Sequence, residues 1–236
     1  MLLRYRAQQC LARFIPQYCV LCRQASNAPL CGCCKTSIKS FKHSLCDYNL
    51  MRWPKIIDAM QPHSLAHLHA FGEYQFPLSY WLQQLKFKQK LLYAEILAEL
   101  FVDSISPRTE SLPQALIPAP LHLQRYLKRH FNQARVLSQS IGYRLCIPVL
   151  DGALIRQINT PAQSQLNRQQ RLNNVSTAFI SPVIAPSIKH VAIVDDVITT
   201  GATMQAMIEA ITNANPTLKI EVWSIALALS SLDQIG

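Results

Sequence analysis

Charge is scarce in this chain, and negative charge is scarcer still: 15% of its 236 residues are charged, with 13 Asp and Glu against 23 Lys and Arg. Half of the residues are hydrophobic, so the composition excludes a disordered chain and fits a globular one. Long apolar runs are also missing. None approaches the ~18 residues a membrane-spanning helix needs, and the longest candidate, WSIALAL at Trp223–Leu229, reads as a buried strand. The first residues, MLLRYRAQQCLARFIPQ, are interrupted by Arg4, Arg6 and Arg13, so they lack the continuous apolar segment of a secretion signal. There is no repeat at solenoid spacing, no low-complexity tract and no G-x-x-x-x-G-K-[ST] phosphate loop. Six of the eight cysteines crowd between Cys10 and Cys34, unlike the spread framework of a secreted disulfide domain. The expectation is a soluble cytoplasmic protein with reduced cysteines.

The positive charge is unevenly placed. Residues 1–60 hold nine Lys and Arg against Asp47 and Asp58, and residues 120–171 hold eight against Asp151 alone. Two separate basic regions suit a phosphate-rich partner or substrate, or simply a solvated basic surface.

Up to about residue 60 the chain is cysteine-rich, basic and poor in periodic pattern, and it changes character near Trp-Pro and Gln-Pro turn signals between Trp53 and His63. We therefore expect a module over 1–60 and a larger domain over 61–236. In the latter, Leu68–Tyr74, Ala115–Pro120, Ala153–Ile158, Val191–Asp195 and Lys219–Leu229 read as strands. Pro77–Phe87, Leu91–Ile105, Asn132–Tyr143 and Thr203–Asn213 read as helices. Alternating strands and helices predict an α/β fold, a mainly parallel sheet flanked by helices.

The most informative run is Val191–Thr203, VAIVDDVITTGAT. A buried strand delivers Asp195 and Asp196 to the carboxyl edge of such a sheet, where ligands of open α/β folds bind. Gly201 permits close approach of an anion, and the N–H groups of the following helix start point at it. Thr199, Thr200 and Thr203 offer hydroxyls to phosphate oxygens, with Ala202 between them. Two adjacent carboxylates repel phosphate, so they suit ribose hydroxyls or the water shell of magnesium. Arg125 and Arg129 lie one helical turn apart with Lys128 beside them, a spacing fit for a diphosphate or a nucleic-acid backbone. The polar stretch Thr160–Asn174 suits either a mobile lid, with Arg171 closing over phosphate, or a plain surface loop.

The Val191–Thr203 run resembles the phosphoribosyl-diphosphate motif of type I phosphoribosyltransferases. That resemblance implies that Asp195 and Asp196 hold ribose hydroxyls and that Thr199–Thr203 cradle the 5-phosphate of a magnesium-bound phosphoribosyl diphosphate. Two further stretches, IPAPLHLQRYLKRHFNQA at Ile117–Ala134 and TPAQSQLNRQQRLNNVSTAF at Thr160–Phe179, are similar to signatures of the ComF/GntX family, associated with bacterial competence and DNA uptake. Gln163, Leu166, Arg171 and Asn174 match the second signature, which makes Gln163, Arg171 and Asn174 candidate lid residues. One departure stands out: His130 occupies the glycine position of R-G-F-N-Q. If that glycine serves a positive φ, the histidine must adopt it.

Cys19-x-x-Cys22 is followed by Cys31-Gly-Cys-Cys34. Two such knuckles can fold back to set four thiolates around zinc in a zinc-ribbon-like module, the metal supplying much of the folding energy. Cys33 lies inside the second knuckle and is not expected to ligate. Relatives implied by the resemblance carry a second pair of knuckles, of which only Cys46 remains here. His63, His67 and His69 have a possible metal spacing, but the absence of a nearby carboxylate and the strand around His69 favour a structural role. Cys10 and Cys146 are expected to be buried.

Three functions fit. The resemblance implies a competence factor working with incoming single-stranded DNA or the DNA-uptake proteins. A working phosphoribosyltransferase on an unidentified acceptor is the second, and a ligand-sensing regulatory protein the third.

Overall fold

The computed structural model describes residues 17–60, 65–106, 111–121, 127, 130–156 and 178–229. It divides into two compact units, Met1–Lys39 and Ser40–Gly236. The division falls ahead of residue 60 because Phe41, Cys46, Leu50, Ile56, Ala59 and Met60 are buried in the core of the larger unit. Composition alone could not separate them from the cysteine-rich stretch that precedes them.

In the smaller unit a two-residue antiparallel pair, β1 (Gln17–Tyr18) and β2 (Ala25–Ser26), is followed by α1 (Gly32–Ser37). Leu30 and Ile38 are buried there beside Cys19 and Cys34, a very small apolar core.

The larger unit opens with two short 3₁₀ turns, His43–Cys46 and Leu50–Arg52, and α2 (Pro54–Ala59). Next come β3 (Leu68–Glu73), α3 (Leu78–Lys88), α4 (Leu91–Ile105), β4 (Ala115–Pro118), α5 (Gln133–Leu145), β5 (Ile155–Arg156), β6 (Phe179–Ile180), β7 (His190–Ile198), α6 (Ala202–Ala214) and β8 (Lys219–Leu227). Four strands form one sheet in the order β3-β8-β7-β4, and every pairing is parallel. Ile117 pairs with Ile193, Val194 with Trp223, and Ser224 with Ala70. β5 and β6 form a separate antiparallel pair.

Both faces of the sheet are covered, which is why its strands read as continuous apolar runs rather than alternating ones. On one face α4 packs against β3 and β8, α5 against β4 and β7, and α3 against α4. Trp223 meets Phe101 of α4 there, ring centroids 5.3 Å apart. On the other face Met204, Met207 and Ile211 of α6 share a core with Ile117, Val191, Ile193 and Val222. Truncating one of these large core side chains to alanine costs about 2–5 kcal/mol.

Local signals set the helix ends. Asn132 caps α5 by accepting from the Ala134 N–H at 3.0 Å, and its Nδ2 donates to the Ala119 carbonyl at 2.9 Å, tying the helix start to the end of β4. α3 and α5 end at Gln89 (φ 51°) and Cys146 (φ 57°) in the left-handed conformation that glycine usually takes at this place. Cys146 is exposed rather than buried, because it is the left-handed cap residue itself, past the buried stripe of α5. Among the described residues no helix is long and apolar enough to cross a membrane.

Candidate functional site

β7 carries both aspartates, and it continues past them to Ile198. Asp195 pairs in register with Ser224, and Val197 with Ala226. Successive side chains of a strand point to opposite faces, so the two acids part. Asp195 shares the face of Val191 and Ile193, on the side of α6. Asp196 faces α3 and α5.

Asp196 is buried, 4% exposed. Its Oδ1 accepts from Gln133 Nε2 at 3.3 Å, and its Oδ2 pairs with the Lys86 ammonium. Gln133 reaches it because Asn132 starts α5 beside the end of β4. Lys86 reaches it from the last turn of α3, where it follows the buried stripe Leu78, Trp81, Leu82 and Leu85. The sequence marks Gln133 only through the R-G-F-N-Q signature. It gives no sign that Lys86 enters the site, since a lysine ending a helix is ordinarily a solvated charge balancing the helix dipole.

Asp195 is half-buried and its Oδ1 accepts from the Asp196 backbone N–H at 2.8 Å. Burial above all, and then the adjacent Asp196 carboxylate, push its carboxyl well above the usual carboxylate range. The Asp196 N–H and Lys86 offset this only in part. A group in this state gains most when a hydroxyl or a cation approaches it.

Beyond Ile198 the chain turns through Thr199, Thr200 and Gly201. Gly201 stands at φ 78°, ψ −9°, and α6 begins at once at Ala202, with no side chain capping its first N–H groups. Thr199, Thr200, Ala202 and Thr203 are exposed, and Gly201 is buried. The turn therefore presents hydroxyls and helix-start N–H groups outward, an arrangement suited to an anion.

His130 adopts φ 58°. The glycine position of the signature is thus a left-handed one, and the histidine occupies it with its side chain exposed. Arg125, Lys128 and Arg129, the lid candidates Gln163, Arg171 and Asn174, and also Cys10 and His63, lie outside the described residues. His69 is fully buried in β3; its Nε2 lies 3.0 Å from Ser104 Oγ and its ring stacks on His43. His67 Nδ1 lies 3.3 Å from buried Glu221, with His190 Nε2 on the same carboxylate oxygen at 2.8 Å. The Trp223 indole N–H donates to the other oxygen. Neither residue numbering nor periodicity could have assembled this Glu221 cluster, which joins the starts of β3, β7 and β8.

In the smaller unit the Sγ atoms of Cys19, Cys22, Cys31 and Cys34 all lie within 4.8 Å of one another. Those of Cys22 and Cys31 are 3.8 Å apart. A tetrahedron with ~2.3 Å zinc–sulfur bonds has edges of about 3.8 Å, so the cluster fits zinc. The Cys31 N–H donates to Cys19 Sγ, and the Cys34 N–H to Cys31 Sγ, each at 3.4 Å. Burial raises the Cys19 thiol, but backbone N–H groups of Cys31, Cys22 and Leu21 outweigh it and lower the thiol to about 6. Burial and the neighbouring thiols push Cys34 up to about 12. The Cys19 thiolate forms easily while Cys22 and Cys34 resist, a balance that a dication reverses. Cys33 is exposed and outside the cluster.

Residues 136–233 match the phosphoribosyl transferase domain family. The chain is 32% identical over 222 residues to competence protein F of Haemophilus influenzae, covering 89% of this chain and 96% of that one. This chain belongs to the competence protein F (ComF) family. Another relative of this ComF-family chain is the DNA utilization protein YhgH of Salmonella typhi, 28% identical over 227 residues, 91% of this chain and 99% of that one. An adenine phosphoribosyltransferase from Leishmania tarentolae superposes with a TM-score of 0.35 at 10% identity, over 60% of this chain and 73% of that chain. That likeness is too distant to carry weight; the ComF fold assignment rests on the domain match and on the parallel sheet.

Proposed function

We propose that this ComF-family protein is a cytoplasmic DNA-utilization factor of natural transformation that binds a phosphorylated ribose, with magnesium, at the turn after β7. The observation that carries the ligand reading is Gly201 in the left-handed conformation, opening an exposed threonine turn onto an uncapped helix start directly beyond Asp195. Two things support the DNA part: the names of the relatives, competence protein F and DNA utilization protein, and the two basic regions, the second of which contains Arg125, Lys128 and Arg129.

In this reading the first N–H groups of α6 and the hydroxyls of Thr199, Thr200 and Thr203 hold the 5-phosphate. Asp195 accepts from a ribose hydroxyl, or from water on magnesium, and its charged form is stabilised by that contact. Lys86 and Gln133 fix Asp196 against the sheet. Magnesium would neutralise diphosphate charge in the site. Zinc on the four thiolates would fix the smaller unit.

The test is titration calorimetry of the whole protein with magnesium and phosphoribosyl diphosphate, paired with a diphosphate-release assay across a panel of bases. Binding that is lost in Asp195→Asn/Asp196→Asn supports the ligand site. Binding unchanged in that variant removes it. Release of diphosphate from the unaltered protein, and not from the variant, would establish the enzyme reading; binding without release makes the site a sensor or a docking element.

A further inference from the structure

The buried side of α3 is accounted for by Leu78, Trp81, Leu82 and Leu85. Its other side is unusual in what it leaves in water. Tyr80 is 44% exposed and Phe87 65%, and the helical repeat sets residues seven apart on one stripe. Phe76, just before the helix, is 71% exposed, and its ring centroid lies 6.5 Å from that of Tyr80, with the planes tilted by 45°. Tilted in this way, the two rings offer separate platforms rather than one slot.

Charge follows the rings. Lys86, Lys88 and Lys90 lie at and just beyond the helix end, and no Asp or Glu occurs anywhere from Tyr74 to Ala94. Lys86 turns inward to Asp196, whereas Lys88 and Lys90 are exposed. Lysines at a helix C-terminus alone would need no explanation. Three large exposed aromatics running up to them, Phe76 and Tyr80 ahead of Lys86 and Phe87 between Lys86 and Lys88, do.

Rings that accept a flat π-face, set among lysines with no acid between them, match a strand whose bases are free to stack and whose phosphates need neutralising. A duplex keeps its base faces stacked on each other, so it could use the lysines but not the rings. We propose that Phe76, Tyr80 and Phe87, with Lys88 and Lys90, form a docking stripe for single-stranded DNA along α3. The proposal rests on the DNA-utilization reading above and gives it a surface distinct from Arg125, Lys128 and Arg129. Lys86 links the stripe to Asp196, so bound DNA would sit on the helix that holds that carboxylate.

The experiment is fluorescence anisotropy of the full-length protein with a labelled ~20-nucleotide oligothymidylate. Phe76→Ser/Tyr80→Ser/Phe87→Ser is expected to weaken binding at least tenfold. Lys88→Gln/Lys90→Gln is expected to lower the salt slope by about 1.4, two single-strand phosphate contacts at ~0.7 each. Tyr143→Ser, an exposed aromatic on α5, should leave affinity within twofold. Should the triple variant fold poorly, crosslinking of an iodouracil oligonucleotide to the unaltered protein must place adducts on Phe76, Tyr80 or Phe87; adducts confined elsewhere overturn the stripe. Undiminished binding in a folded triple variant overturns the stripe and leaves the DNA reading standing. So does a triple variant that loses only self-association or a protein partner. If the unaltered protein binds no single-stranded DNA, both fall together.

Discussion

Lys86 on α3 and Asp196 on β7 form an ion pair within the protein, the lysine side chain 16% and the aspartate side chain 6% exposed. The pair links a peripheral helix to the central strand at the edge where the threonine turn begins. Removing the lysine strands a buried carboxylate, so Lys86→Met should destabilise the larger unit by about 3–5 kcal/mol at neutral pH. Asp196→Asn added to it should restore part of that loss. A urea-unfolding double-mutant cycle measures the coupling; additive losses would mean the pair contributes nothing.

Asp195 has the opposite character. Its carboxyl is raised by burial and by Asp196, so the native state holds that proton longer than the unfolded chain does. The protein therefore loses stability as pH rises from about 3.9, the unfolded value, towards the raised native one, and stays penalised above it. Asp195→Asn should raise the melting temperature at pH 7, with the gain vanishing below pH ~4. A cost in ligand binding alongside that gain is the pattern of a residue kept for function. An unchanged or lower melting temperature at pH 7 would contradict this.

The sequence was legible where one element determines its own fate. α4 was readable to the residue over Leu91–Ile105 because its apolar positions repeat along one helix, and the four parallel strands were legible as short apolar or aromatic stretches, whereas Ala153–Ile158, read in the same way, contributes Ile155–Arg156 to the separate antiparallel pair. The Gly201 turn was legible for the same reason, since glycine, threonines and a helix start are contiguous. What could not be read depends on contacts between distant residues. Phe41–Met60 looks like an extension of the cysteine module until its side chains are seen in the other core. The pleat separates Asp195 from Asp196, although adjacency in sequence suggests one shared site. Lys86 meets Asp196 across 110 positions of the chain.

His130 holds φ 58° where the family signature has glycine. A left-handed conformation costs a residue with a Cβ roughly 1–2 kcal/mol, less for histidine than for most, and glycine returns some of that through its freer unfolded state. His130→Gly should stabilise by about 0.5–1 kcal/mol, or ~1–4 °C in melting temperature. Calorimetric scans of the two proteins decide it, and a His130→Ala variant, which keeps the Cβ, should gain nothing.

Four thiols around one point suit a metal ion, and the smaller unit is expected to depend on it. One zinc per chain is expected by elemental analysis, and Cys19→Ser or Cys34→Ser should abolish it. Cys33→Ser, at an exposed site outside the cluster, should retain it. With so little apolar core, stripping the zinc with chelator should make residues 17–39 protease-sensitive while the melting transition of the larger unit persists. A metal-free chain with an intact, protease-resistant smaller unit would refute the dependence.

His43 lies buried against His69, ring centroids 3.8 Å apart. Burial pushes its imidazole down to about 4, opposed only in part by the backbone at Ala70. Between pH ~6.5 and ~4 the unfolded chain takes up a proton that the native protein refuses. Stability is therefore lost as pH falls through that window, by roughly 3 kcal/mol for a shift of this size. His43→Phe keeps a flat ring in the stack and removes the proton. Its unfolding free energy, followed in urea from pH 7.5 to 4.5, should decline less steeply than that of the unaltered protein by up to ~1.4 kcal/mol per pH unit. Parallel curves would mean that His43 is already protonated in the native stack, or that it titrates there as it does in the unfolded chain.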